Sequence, residues 1–174
     1  AGKRFGKTKL ALYRGCLKAG VPNRVIWYIA PTYKQAKNIA WWELNYLLPR
    51  QFVKRSIENE LYKELTNGTR IQLIGADNEE SLRGPRIHHA VLDEAAYQKE
   101  YVWSGIISGQ LLGAKDGEGG TADFISSPNK EGRNWFTNFH AEAKRRELAG
   151  DKDWAAFFFT IYDNPTLNKE EIDK

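Results

Sequence analysis

Short apolar runs of β-forming residues recur along this chain, separated by longer helical stretches, and that alternation constrains the fold more than any other feature. Val25–Ala30 (VIWYIA) is apolar almost throughout, the pattern of a strand buried on both faces of a sheet. His89–Leu92 and Ala122–Ile125 are further short apolar strands, and Ala155–Ile161 (AAFFFTI) predicts a fifth buried one. Between them, Lys9–Ala19 reads as a helix stopped by Gly20 and Pro22, with Leu10, Leu12, Tyr13 and Leu17 supplying much of its apolar surface. Tyr33–Leu48, Glu100–Leu112 and Trp135–Leu148 read as three more helices. Leu61–Leu65 and Thr69–Ile74 alternate on either side of Asn67-Gly68, a hairpin signal. The pattern predicts an α/β fold, a mainly parallel sheet flanked by helices with a β-hairpin insertion. Ligands of such sheets lie beyond the carboxyl ends of the strands, so chemistry is expected just after each strand.

Composition narrows the class without naming a partner. The chain has 174 residues, 41% hydrophobic and 28% charged, which is neither a disordered nor a membrane composition. The net charge of +4 is a weak signal, and the cluster Lys144-Arg145-Arg146 reads as a solvated helix face. A single cysteine, Cys16, precludes an internal disulfide and fits a reducing compartment. There is no methionine, even at position 1, which raises the expectation that the chain is part of a longer one whose first strand lies upstream.

Ala1-Gly2-Lys3-Arg4-Phe5-Gly6-Lys7-Thr8 fits a phosphate-loop pattern, with Ala1 in the first glycine position. Gly6 lets backbone N–H groups close around phosphate oxygens, and the positive end of the following helix faces them. Lys7 is placed to reach the β- and γ-phosphates, and Thr8 offers a hydroxyl to Mg²⁺. Gly2, Lys3, Arg4, Phe5, Gly6, Lys7 and Thr8 are thus the expected nucleotide-binding residues. Ala90-Val91-Leu92-Asp93-Glu94 is an apolar strand ending in two acids. In phosphate-loop ATPases the first such carboxylate holds the metal shell and the second activates water, which assigns Asp93 to the metal and Glu94 to catalysis.

Ser126-Ser127-Pro128-Asn129 follows the next strand, and two readings stay open for it: a γ-phosphate sensor or a capped turn. Arg4 is suited to approach the phosphates in cis, and Arg83, in a glycine-containing loop ten residues before Asp93, to serve its own or a neighbour's nucleotide. His88-His89 reads as a strand border rather than a metal site, Trp41-Trp42 as packing, and Asp163 as a turn acid.

The motifs in this order, GKRFGKT, YIAPTYKQAK, GADNEESLRG leading into VLDEAA, ISSPN, GRNWF and YDNP, resemble the ATPase domain of tailed-bacteriophage large terminase subunits. The resemblance implies an additional-strand-type phosphate-loop ATPase that hydrolyses Mg²⁺-ATP to move double-stranded DNA into a procapsid. It implies roles for Arg4, Lys7 and Thr8 in the loop and for Asp93 and Glu94 in the acid motif. Ser126, Ser127 and Asn129 would be the coupling motif and Arg83 a candidate trans-acting arginine. It also implies a ring on a viral portal, a small terminase subunit as partner, and action in the cytoplasm of an infected bacterium. Residues 1–162 would form the ATPase domain, lacking its preceding strand and adenine-binding segment. Residues 163–174 would start a linker toward a nuclease domain, so no DNA cleavage is expected of this piece. A helicase or remodeller motor, and a nucleotide-gated DNA-binding fragment without turnover, are the alternatives.

Overall fold

The computed structural model describes residues 5–112, 119–128 and 132–168. Helix α1 (Lys7–Ala19) starts after Gly6, whose φ of +84° is a left-handed turn that a side chain would strain. Strand β1 (Val25–Ala30) follows, then α2 (Tyr33–Gln35), where Thr32 Oγ1 accepts the Gln35 N–H as a cap. A π-helical stretch, Ala36–Trp41, leads into α3 (Trp42–Leu47). Next come β2 (Val53–Ile57), β3 (Tyr62–Leu65), β4 (Arg70–Gly75) and β5 (His89–Asp93). A second π-helical stretch, Val102–Ile107, continues as α4 (Ser108–Leu111), and β6 (Thr121–Ile125) and α5 (Trp135–Leu148) complete the order.

The strands form one six-stranded sheet in the order β2-β3-β4-β1-β5-β6. β4, β1, β5 and β6 run parallel, and β2, β3 and β4 pair antiparallel. Alternation along the strands divides the core between two faces. Ile26 and Tyr28 of β1 and Val91 of β5 pack with Ala11, Leu12 and Leu44 from α1 and α3. Trp27 and Ile29 of β1 and Leu92 of β5 pack with Ile87, Ile107 and Leu111 on the opposite face.

Several local expectations change. Helix α1 buries Ala11, Leu12, Gly15 and Ala19, while Leu10, Tyr13 and Leu17 are exposed. Small residues win this face because they let the helix lie close: a Cβ on Gly15 would already stand 3.7 Å from Ile26 Cγ2. The hairpin around Asn67-Gly68 is present, but β2 adds a third antiparallel strand. Its sequence, VKRSI, has an exposed, charged middle, as suits a sheet edge. The segments read as single helices over Tyr33–Leu48 and Glu100–Leu112 each contain a π-helical stretch. Ala155–Ile161 is not a fifth buried strand. Residues 154–160 carry no strand ladder, and Phe157 and Phe158 are exposed. An apolar run becomes a buried strand only where a neighbouring strand takes up its backbone groups, and among the described residues none does so here.

The Trp41-Trp42 pair divides: Trp41 is buried under the Lys63 ammonium, whereas Trp42 is 63% exposed and does not pack in the core. Asp163 caps the turn at Thr160. Lys144, Arg145 and Arg146 are exposed and pair with Glu142 and Glu147 on their own helix. Among the described residues no helix is long and apolar enough to cross a membrane.

His89 opens β5 fully buried, with Nδ1 2.8 Å from Thr121 Oγ1 and Nε2 3.5 Å from Asp123 Oδ2. Burial pushes its imidazole down to about 4, against the opposing pull of Asp123. The ring is therefore neutral at pH 7, and its approach to Asp123 is a polar contact rather than an ion pair. The unfolded chain binds this proton near pH 6.5 and the folded chain only near 4, so stability falls as pH drops through that window. Urea unfolding at pH 7 and pH 4.5 is expected to show a loss on the order of 2–3 kcal/mol larger in the wild type than in His89→Gln. Equal losses in the two proteins would contradict a buried neutral imidazole.

Candidate active site

Strand register assembles the site. β5 pairs with β6 so that Asp93 stands beside Ile125, and the residues that follow, Glu94 and Ser126-Ser127, leave the sheet together. Parity along the strands sends Tyr28, Val91 and Asp93 to the face that α1 covers. The first turn of α1 therefore arrives over the carboxyl ends of β5 and β6, bringing Lys7 and Thr8 with it.

Asp93 is buried and bonded on both oxygens. Oδ1 accepts the Glu94 N–H at 2.9 Å, and Oδ2 accepts the Tyr28 hydroxyl, with Thr8 Oγ1 at 3.5 Å on the same oxygen. Burial raises its pKa, with the Glu94 charge adding to the rise, while the bond from Tyr28 and the charge of Lys7 oppose it. Burial likewise pushes the Tyr28 phenol up, reinforced by Asp93, so the phenol stays protonated and donates.

Glu94 leaves the strand in the left-handed region, φ +47°, a conformation that costs a non-glycine residue about 1–3 kcal/mol. That turn aims its carboxylate at the end of β6. Glu94 Oε2 accepts the Ser127 N–H at 3.1 Å and lies 3.2 Å from Ser126 Oγ. Lys7 Nζ donates to Ser127 Oγ at 3.1 Å, so Ser127 joins the lysine and the glutamate through two different atoms. Ser126 Oγ also accepts the Ala96 N–H, which ties the stretch after Glu94 to the same turn.

A surrounding frame holds these residues. Gln98 Nε2 donates to the carbonyls of Ile29 (3.0 Å) and Asp93 (2.7 Å), clamping the ends of β1 and β5. Trp135 Nε1 and Asn134 Nδ2 at the start of α5 donate to Gln98 O and Ala96 O. Arg14 on α1 meets Asp123 on β6 with both Nε (2.6 Å) and a terminal nitrogen (3.0 Å), a bidentate bond joining helix and strand.

Of the residues singled out from sequence, Lys7, Thr8, Asp93, Glu94, Ser126 and Ser127 come together. Phe5 and Gly6 lead into α1, and Phe5 stacks on Phe159 with ring centroids 4.8 Å apart. Gly2, Lys3, Arg4 and Asn129 lie outside the described residues. Arg83 is exposed just after the 3₁₀ turn Glu79–Leu82, and among the described residues its side chain bonds to none of this group. Tyr28 opens the YIAPTYKQAK motif without a role assigned to it there, and Gln98 and the Arg14–Asp123 pair belong to none of the motifs. Tyr28 does leave a signal: a phenol inside a buried strand needs a polar partner.

A family model for the terminase large subunit, T4likevirus-type, N-terminal, matches residues 1–174. The chain belongs to this family. The terminase large subunit of Escherichia phage T5 is 31% identical over 174 residues, 99% of this chain and 38% of that protein. The chain thus spans well under half the length of that relative. Among solved structures, the large terminase ATPase domain of Thermus phage P74-26 aligns with a TM-score of 0.68 at 27% identity, covering 80% of this chain and 61% of that one. A large terminase from a thermophilic bacteriophage, solved in complex with ADP, gives 0.74 at 16% identity, over 98% of this chain and 41% of that one. The fold is that of the terminase ATPase domains, of the phosphate-loop type.

The Gln98 clamp has a direct consequence. Gln98→Ala would leave the carbonyls of Ile29 and Asp93 without this donor, and a loss of about 1–3 kcal/mol in urea unfolding is expected. A change below about 0.5 kcal/mol would mean that water or backbone takes over both bonds.

Proposed function

We propose that this terminase domain hydrolyses ATP with Mg²⁺ and that, in the assembled motor, hydrolysis drives double-stranded DNA into a procapsid. One observation carries the reading: Lys7, Thr8, Asp93 and Glu94 converge at the carboxyl ends of β5 and β6, with Ser127 bridging Lys7 and Glu94 and Thr8 approaching Asp93. The likeness to the thermophilic-bacteriophage terminase solved with ADP and with ATP-γ-S supports a nucleotide as the ligand.

The donor set suits magnesium. Thr8 Oγ1 and Asp93 Oδ2 are hard oxygen ligands that already approach one another, and a cation would relieve the cost of burying the carboxylate. Thr8 and Asp93 would hold the ion, which when bound supplies charge neutralisation on the β- and γ-phosphate oxygens. Lys7 adds a second positive charge to the same phosphates. Glu94 accepts the proton of the attacking water and orients it toward the γ-phosphorus.

Ser126 and Ser127 give this site its means of signalling. They hold Glu94 and, through Ser127 Oγ, Lys7. When ATP enters, Lys7 turns to the phosphates and gives up Ser127, and the turn that restrains Glu94 loosens. Binding of the correct phosphate chain thereby frees the catalytic carboxylate, and loss of the γ-phosphate reverses the change through β6. Arg4, within the loop, serves the phosphates in cis. The exposed position of Arg83 suits a neighbour's nucleotide in a ring on the portal, where the small terminase subunit and DNA join the assembly.

Glu94→Gln keeps the side chain's shape and removes its basicity. Steady-state phosphate release is expected to fall about 10²–10⁴-fold while fluorescent-ATP affinity stays within about threefold. Turnover within tenfold of the wild type would sink the assignment.

A further inference from the structure

We propose that Tyr28 is a positioning residue for the metal-holding carboxylate, its buried hydroxyl fixing Asp93 so that the site accepts Mg²⁺-nucleotide at low metal concentration. The inference rests on the reading of Asp93 as the metal residue and extends it to a side chain in the sheet interior.

Tyr28 lies in the middle of VIWYIA, only 2% exposed, where an apolar residue of the same size would pack without any polar demand. A buried hydroxyl is tolerated where it makes a hydrogen bond, and this one donates to Asp93 Oδ2. The partner is specific. Tyr28 and Asp93 are on neighbouring parallel strands, on the same face, 65 positions apart. The hydroxyl holds the oxygen that Thr8 Oγ1 approaches at 3.5 Å, while the Glu94 N–H holds the other oxygen at 2.9 Å. The carboxylate is thus oriented from the neighbouring strand and from the backbone after it, with Oδ2 presented to Thr8 in the first turn of α1. A carboxylate held this way gives up no rotamer freedom when the ion arrives. One held only by the Glu94 N–H would swing about its Cβ–Cγ bond and have to be ordered at the moment of binding. The phenyl ring does separate work, packing beside Ala11, Leu12 and Val91.

Tyr28→Phe separates the two functions, since it keeps the ring and deletes the hydroxyl. The measurement is the affinity for fluorescent ADP as Mg²⁺ is titrated, alongside metal-free ADP affinity and thermal melting. Metal-free affinity is expected within about twofold of the wild type, and the Mg²⁺ concentration for half-maximal tightening about tenfold higher. A half-point unchanged within about twofold, or one that moves to lower Mg²⁺, overturns the proposal. Asp93→Asn, measured in parallel, tells the two readings apart. If Asp93→Asn shifts the half-point and Tyr28→Phe does not, the proposal alone fails. An unshifted Asp93→Asn removes the metal reading and the proposal with it. Should Tyr28→Phe not fold, 3-fluorotyrosine at position 28 retains the hydroxyl. Its fluorine resonance is expected to move when Mg²⁺ is added to the ADP complex, and a resonance that stays put overturns the proposal.

Discussion

The bond network around Ser127 depends on a single fact of sheet geometry, the parallel register that sets Asp93 against Ile125. With that pairing, the residues after each strand emerge side by side, and the backbone of Ser127 meets the carboxylate of Glu94. A slip of one residue would turn Asp93 to the other face of the sheet and break its contacts with Tyr28 and Thr8. The left-handed turn at Glu94 is the local cost of this arrangement. It is sustained because Gln98, Ser126, Asn134 and Trp135 all bond to the stretch that follows the turn or to its neighbours.

The same constraint explains the packing of α1. A helix that must place its first turn over two strand ends has to lie close to the sheet, and the buried Ala11, Gly15 and Ala19 permit this. Arg14 then fixes the helix to β6 through Asp123. Helix α1 and the β6 end are therefore joined twice, at Lys7–Ser127 near the site and at Arg14–Asp123 farther along the helix. Two links of this kind would let the proposed motor pass a shift of one element to the other.

Much of this is legible in the residues. The runs VIWYIA and HAVL are apolar enough to mark central strands, and the acids that end the second mark a site. GKRFGKT and the adjacent acids supply Lys7, Thr8, Asp93 and Glu94, which the fold brings together. What escapes the sequence is whatever depends on a partner distant in the chain. AAFFFTI has the composition of a strand, but composition does not say whether a neighbour will meet it, and here Phe157 and Phe158 stand exposed. VKRSI lacks an apolar stripe because it is an edge strand, so periodicity passes over it. Tyr28 and Gln98 act through bonds across 65 and 69 positions, separations that no local pattern encodes. The buried face of α1 departs from its apolar pattern because size, which decides how close a helix can lie, outweighs hydrophobicity.

In the proposed cycle, Ser127 holds Lys7 and Glu94 together until a triphosphate separates them. A crystal structure of the Glu94→Gln protein with Mg²⁺ and ATP tests it most directly. Lys7 Nζ is expected to leave Ser127 Oγ for the phosphates while Thr8 and Asp93 face the ion. ATP bound in the loop with the Lys7–Ser127 bond intact, or bound away from Lys7 altogether, would contradict it.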